Sequence, residues 1–306
     1  MEFESIRKHH NIASIILAGG KGSRLHPLTL NHSKPAVSYG GRYRLIDIPI
    51  SNSLNSNIRQ ILVIGQYLTT ELAHHLSQTY QFDNFFPGRL DLVTPEERPS
   101  GERVFFDGTA DAIRKNIDLI LEFPVDYFLI LSGDQLYNID FQKMFLFAKE
   151  KDADLTIAAL PVNERDAKRL GLLKINSDSY IYDFYEKPQD NKTLNLFKLN
   201  PLFYEKCKII NQEPYLGSMG IYIFKRDALK SLLKEDLRAD FGKHLIPTQL
   251  KKGKAAAFVY DGYWEDIGTI KSFYDANIAL AISGNGLKTY DEKNPIYTCA
   301  HHLPGA

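Results

Sequence analysis

Ile12 to Ala18 (IASIILA) is a short apolar run, with Ser14 its one polar position, stopped by Gly19-Gly20. A nearly continuous run of that length is the pattern of a strand buried on both faces, as in a parallel sheet. A second run, Ile61 to Gly65 (ILVIG), leads into Leu68, Leu72 and Leu76 at helical spacing. A third, Tyr127 to Leu131 (YFLIL), ends in Ser132-Gly133-Asp134. Between those two, Ala112, Ile113, Ile117, Ile120 and Leu121 predict one helix across Gly108 to Leu121. Strand, helix, strand, helix predicts the α/β class with a doubly wound, mainly parallel sheet. Such sheets bind ligands beyond the carboxyl ends of their strands, where Gly19-Gly20 and Asp134 would sit.

After about Asp152 the rhythm changes. Leu155 to Leu160, Leu172 to Ile175, Ile181 to Tyr185 and Gly220 to Phe224 read as strands with few helices between them. They predict a mixed, partly antiparallel lobe that supplies a second pocket. Helical spacing returns at Asp227 to Leu233, Phe241 to Leu250 and Ile270 to Ile282. Residues 80 to 104 lack periodicity and contain Pro87, Pro95 and Pro99, so a long loop is expected there. The tail after Gly284 reads as a linker or extension.

Composition narrows the ligands more than the fold. The 306 residues are 44% hydrophobic and 24% charged, the balance of an ordinary soluble protein with room for a sizeable core. Lys+Arg and Asp+Glu are both 37, so there is no basic field to gather nucleic acid, and phosphate recognition has to be local. A net charge of zero leaves self-association open. Cys207 and Cys299 stand alone, giving neither a zinc spacing nor a disulfide framework, which fits a reduced, cytoplasmic compartment. Met1 to His10 is polar, unlike a signal segment, and no apolar run approaches the ~20 residues of a membrane helix.

The first candidate chemistry is Leu17-Ala18-Gly19-Gly20-Lys21-Gly22-Ser23-Arg24-Leu25, directly after a strand. Glycines let backbone approach a polyphosphate, and free N–H groups there make an anion-binding concavity. A Walker A loop is excluded because Ile15 stands where its first glycine belongs, and a dinucleotide fingerprint fails at Leu25. A plain strand-to-loop turn is the alternative for the glycines alone. Arg24 and Lys34, the latter fixed by Pro35, weigh against it, since two cations can neutralise a triphosphate and departing pyrophosphate.

Asp134 closes a strand, and Asp266 lies in Trp264-Glu265-Asp266-Ile267-Gly268-Thr269. Either one alone could be an ordinary turn or helix cap. Together they match what Mg²⁺ requires, one or two carboxylates plus substrate phosphates.

The run GGKGSRLHPLT…SKPAV, followed by RYRLIDIPISN and LNSNI, resembles the start of the ADP-glucose pyrophosphorylases, and the resemblance runs from about Ile12 to the end. GGxGxRL with a downstream Lys-Pro is shared more widely by nucleotidyltransferases acting on sugar 1-phosphates. The resemblance implies a glycosyltransferase-A-like sheet with a mixed sugar-binding lobe, and transfer of an adenylyl group from ATP to glucose 1-phosphate for glucan synthesis. It implies that Arg24, Lys34 and Asp134 are catalytic, and that Asp134 and Asp266 hold Mg²⁺. ATP would meet Leu17, Ala18, Gly19, Gly20, Gly22 and Asp134, with Gln66 at the base and Gly108 and Thr109 on the nucleoside side. An N-cap by Thr109 is the bland reading of that last block. The sugar phosphate would meet Gly171, Glu186, Lys187, Ser218, Asp240 and Asp266.

The same resemblance implies a homo-oligomer, a tetramer in full-length members. Residues 1–284 would be the catalytic domain, with 285–306 a linker or the start of a left-handed β-helix domain. Three departures stand out. Phe105-Phe106-Asp107 replaces a tryptophan and an aromatic before GTADA, Glu96-Glu97 occupies the adenine loop, and Asn31, His32 and Ser33 precede Lys34. The first two bear on base selection and the third on activator binding. The rival readings are a member using UTP, CTP or dTTP, and a non-catalytic regulatory subunit, though the cleft charges that such subunits lose are present.

Overall fold

The computed structural model describes residues 11–83, 87–95, 105–200, 213–282 and 286–299. Its first strands are β1 (Ile12–Ala18), the short β2 (Ser38–Tyr39) and β3 (Tyr43–Arg44), then β4 (Gln60–Gly65), β5 (Arg89–Val93) and β6 (Tyr127–Ser132). β1 lies between β4 and β6, parallel to both, with Ile16 opposite Val63 and Leu131. Its alternate side chains therefore feed two cores. Ile12 and Ile16 join one, and Ala13 and Ile15 join the other. Ser14 is buried inside this apolar run and is satisfied by the Ser53 hydroxyl at 2.9 Å.

Helices cover both faces, as a doubly wound fold requires. Helices Asp47–Asn55, Thr69–Thr79 and Phe141–Glu150 pack their apolar residues into the first core. Helices Thr109–Lys115, Arg226–Glu235 and Ile246–Lys252 pack into the second.

The later strands are β7 (Gln135–Tyr137), β8 (Leu155–Val162), β9 (Gly171–Ile175), β10 (Ile181–Glu186), β11 (Tyr215–Lys225), β12 (Ala255–Val259) and β13 (Trp264–Asp266). Among them β9 to β11 pair antiparallel and β12 parallel, the mixed pattern expected. β8 to β12 continue the sheet begun by β1, which among the described residues has nine strands. The eleven-residue β11 makes this continuity possible and is longer than the Gly220 to Phe224 strand expected. Its second half, Tyr222–Lys225, runs antiparallel to β6, while Gly217 in its first half pairs with Leu172 of β9. The register against β8 breaks between Ser218 and Tyr222, where Gly220 takes φ +72°. That irregularity lets the two halves of β11 serve different neighbours.

Three further expectations need correction. The supposed loop from 80 to 104 contains β5, an edge strand whose half-buried Leu90 and Leu92 pack on the first core. Five residues at a sheet edge were too short and too polar to show a period. Residues 96–104, with Glu96 and Glu97, lie outside the described set. The helix expected from Gly108 to Leu121 is two, Thr109–Lys115 and Ile117–Leu121. They part at Asn116, whose amide donates to Ala112 O at 2.8 Å. The pattern from Phe241 to Leu250 begins as a π-turn, Phe241–Leu245, before the α-helix.

Residues 286–299 carry no regular structure but are pinned to the first core, chiefly to helix Asp47–Asn55. Leu287 and Ile296 are buried, and Thr298 Oγ1 donates to the buried Asp47 carboxylate at 2.7 Å. Among the described residues no helix is long and apolar enough to cross a membrane.

Candidate functional site

The carboxyl ends of β1, β4 and β6 open into a cavity of about 440 Å³. Leu17, Ala18, Gly19, Gly20, Gly22, Arg24, Lys34, Gln66, Gly108, Thr109 and Asp134 all line it. Its lining includes the five glycines Gly19, Gly20, Gly22, Gly108 and Gly268. A side chain at Gly20 would meet nothing within 4 Å, so this glycine leaves the loop open to the cavity. Gly22 is different. It sits at φ +64°, and a Cβ there would lie 3.0 Å from Thr29 Cγ2 and 3.1 Å from Lys34 Cβ. Only glycine turns the chain there and lets Lys34 approach. The turn carries on into a short 3-10 segment, Ser23–Leu25, which presents the exposed Arg24.

Gln66 leaves the end of β4 and grips one backbone unit. It donates to Phe106 O at 3.3 Å and accepts from Phe106 N at 2.9 Å. It thereby ties the segment before the Thr109 helix to the cavity wall. The cap position of that helix is held by Gly108, not Thr109, because the Thr109 hydroxyl accepts from Phe241 N at 3.3 Å.

The charges collect at one rim. Lys34, only 9% exposed, is ion-paired with Asp134, and the Ser132 hydroxyl donates to the other Asp134 oxygen. β13 pairs with β7 so that Asp266 stands opposite Gln135, next to Asp134. Burial pushes the Asp266 carboxyl up and the neighbouring Asp134 charge adds to it, while Lys34, Arg169 and Arg24 oppose the rise. Gly268, which lines the cavity, lies against both the Asp266 carboxylate and the Arg24 guanidinium. Among the described residues no group of three or more His, Cys, Asp and Glu could hold a metal by itself. Two repelling carboxylates with open positions are the donor set of an ion completed by phosphate oxygens.

Gly171, Glu186, Lys187, Ser218 and Asp240 do not line this cavity. Four of them gather elsewhere. Glu186 pairs across β9 with Gly171, where a Cβ would fall 2.7 Å from Glu186 Oε2. Burial pushes the Tyr222 phenol up, Glu186 and Asp240 add to the rise, and a Ser218 hydrogen bond opposes it, so all three act on that one hydroxyl. Lys187, at φ +51°, pairs with Glu186 at 3.2 Å and stays 60% exposed. The two groups are joined through Gln135, which follows Asp134 and donates to Met219 O, beside Ser218, at 2.8 Å.

Sequence reasoning missed several participants. Ser132 and Phe106 lay in quoted motifs without a role, and Tyr222 closed the GSMGIY run unassigned. Arg169 had no signal. It reaches Glu265 at 3.5 Å and Asp166 at 3.0 Å from a loop without pattern. Tyr67, stacked on Phe105 at 5.5 Å with Lys21 Nζ 5.3 Å from its ring centroid, was equally silent.

The family model described as nucleotidyl transferase matches residues 13–282. That span runs from β1 to the end of helix Ile270–Ala281 and takes in both groups of residues.

Proposed function

The chain belongs to the nucleotidyl transferase family, and from that premise we propose that it transfers the adenylyl group of ATP to glucose 1-phosphate, giving ADP-glucose and pyrophosphate. One observation carries the reading. The Lys34–Asp134 pair, with Asp266 and Arg24 beside it, lies at the rim of a glycine-rich cavity and is linked through Gln135 to a second, hydroxyl-seeking cluster.

In this reading a phosphate oxygen of the sugar attacks the α-phosphorus in line. The new P–O bond forms as the bond from that phosphorus to the β-phosphate bridging oxygen breaks, and pyrophosphate leaves with the electron pair. Both reactants are anions already ionised at neutral pH, so no protein nucleophile is needed. Positioning and charge neutralisation supply the rate.

The glycine loop cradles the polyphosphate, and Arg24 and Lys34 stabilise the charge that grows on pyrophosphate. Gln66, Gly108 and Thr109 shape the nucleoside side. Lys187 pairs with the sugar phosphate, while Glu186, Ser218 and Asp240 read sugar hydroxyls beside Gly171. Asp134 and Asp266 would hold Mg²⁺, whose chemistry when bound is to offset phosphate charge. Burial, with the Asp134 charge adding to it, is what lifts the Asp266 carboxyl, and both are local reasons a cation is favoured there.

The RYRLIDIPISN and GTADA blocks support adenine over other bases. The experiment is pyrophosphate release across a matrix of ATP, UTP, CTP and dTTP against several sugar 1-phosphates. ATP with glucose 1-phosphate should exceed every other pair. A faster pair moves the assignment to another member, and no release from any pair leaves the non-catalytic subunit.

A further inference from the structure

Glu186 is held from two sides by residues with no side chain. Gly171 is one. The other is Gly242, in the π-turn Phe241–Leu245, where a Cβ would lie 2.8 Å from Glu186 Oε2, 3.0 Å from Cδ and 3.2 Å from Oε1. Real Cβ atoms do not approach that closely, so any side chain at 242 would push the carboxylate or the turn.

The turn is not free to yield. Asp240 caps it by accepting from Lys243 N at 2.8 Å. The Phe241 ring stacks on Tyr222 with centroids 6.0 Å apart. Its leading edge is fastened to the first turn of helix Thr109–Lys115. Phe241 N donates to Thr109 Oγ1 at 3.3 Å, Ala110 N donates to Ala239 O at 2.8 Å, and Gly108 leaves no room for a Cβ against that same oxygen, 2.5 Å away. A π-turn inserts one extra residue per turn and commonly marks a working site. Here it places Gly242 against the Glu186 carboxylate, whose other oxygen pairs with the exposed Lys187 at 3.2 Å.

We propose that Gly242 is a positioning residue for Glu186: its missing side chain makes the space in which the carboxylate is aimed at the sugar, and its anchored turn fixes that aim relative to the nucleotide cavity. The inference rests on the reading of Glu186 as the group that meets sugar hydroxyls.

The test uses the full chain and three variants, Gly242→Ala, Glu186→Asp and the two combined, with KM for ATP and glucose 1-phosphate and kcat measured for each. Gly242→Ala should raise the glucose 1-phosphate KM roughly tenfold, the loss of one well-made charged contact, and leave the ATP KM within about threefold. Glu186→Asp should raise the same KM. The combined variant should be no worse than Gly242→Ala alone, because the shorter acid withdraws from the added methyl. A purely structural glycine would instead give additive losses in both KM values, and that result overturns the proposal. If Gly242→Ala is too unstable to assay, recovery of folding and of the Glu186→Asp KM in the combined variant supports it, and continued failure overturns it. An active Glu186→Asp with an unchanged glucose 1-phosphate KM sinks the sugar-reading role of Glu186 itself.

Discussion

The two halves of the candidate site are built by different means. The proposed nucleotide-side cavity is built around a contiguous loop, with glycines after β1, a positive-φ turn at Gly22, and the side chains of Arg24, Lys34, Gln66 and Asp134. The proposed sugar-side cluster is made of side chains from β10, β11 and the cap of the π-turn, set against Gly171 of β9. Backbone N–H groups bind any polyphosphate, so the first half supplies affinity with little discrimination. Carboxylates and hydroxyls placed in three dimensions reject analogues that lack matching groups, so the second half supplies choice. Changes on the first side should therefore alter rate, and changes on the second should alter substrate preference.

The largest effect is expected where the halves meet. Asp134→Asn removes a carboxylate that pairs with Lys34 and faces Asp266. A neutral amide binds Mg²⁺ poorly and leaves the mostly buried Lys34 without its counter-charge. Turnover should fall by at least roughly 10³-fold with an unchanged circular dichroism spectrum. A folded variant working at near-normal rate in saturating Mg²⁺ removes Asp134 from the chemistry.

Next come the two cations of the nucleotide side. Lys34→Ala and Arg24→Ala should each lower kcat by about 10²-fold if the contacts strengthen as pyrophosphate leaves. Lys34 should be the more damaging, since its loss also strands the Asp134 charge, whereas Arg24 is exposed. If only the ATP KM rises, both groups bind the ground state uniformly, and the contrast of rate against choice loses its first term.

The same difference explains what could be read in advance. β1, β4 and β6 are mostly apolar runs because both faces are buried, and a contiguous loop carries most of the nucleotide-side residues. A parallel core writes itself into local sequence. β5 is a half-buried edge strand with no such run, and β11 has an irregularity at Gly220 that cut the visible strand short. The mixed, partly antiparallel character of the later strands was legible, but which strands pair was not, because long-range pairing leaves no local trace. Lys187 and Ser218 were found only through motif resemblance. Arg169 and Gly242 matter through contacts with residues about 56 to 96 positions away, and no window of sequence holds both partners.

Lys187→Gln sharpens the comparison on the sugar side. Glutamine is one atom shorter but likewise unbranched at Cβ, so it places no new demand on the φ +51° backbone, and the main change is loss of charge. A charge-assisted contact is worth roughly 1.5–3 kcal/mol, or about tenfold to a hundredfold. The glucose 1-phosphate KM should rise by that order, with the ATP KM changed less than about threefold. An equal rise in both, or a rise for ATP alone, places Lys187 outside the sugar-phosphate pocket.

The smallest effect belongs to the joint that holds the halves together and touches neither ligand. Asp236 is nearly buried, and its carboxylate accepts from Arg238 Nε at 2.8 Å and Thr248 Oγ1 at 2.8 Å. Its backbone oxygen accepts from Arg114 of helix Thr109–Lys115 at 2.7 Å. The Arg238 guanidinium holds the Asp236 carboxyl far below the usual range; burial opposes this and Thr248 assists it. A depressed carboxyl stabilises the fold above its unfolded pKa of about 3.9 and loses that contribution as pH falls through the acid range. Asp236→Asn cannot titrate, so it should lower Tm by about 2–4 °C at pH 7, with the gap from wild type narrowing below about pH 4. Thermal melts at pH 7, 5, 4 and 3.5 read the gap, and one that stays constant across them would show that the carboxylate's charge contributes nothing. Because the joint serves both sides alike, the ratio of the two KM values should stay within about twofold of wild type. A selective rise in one would assign Asp236 to that side, and the division drawn between the two regions would have to move with it.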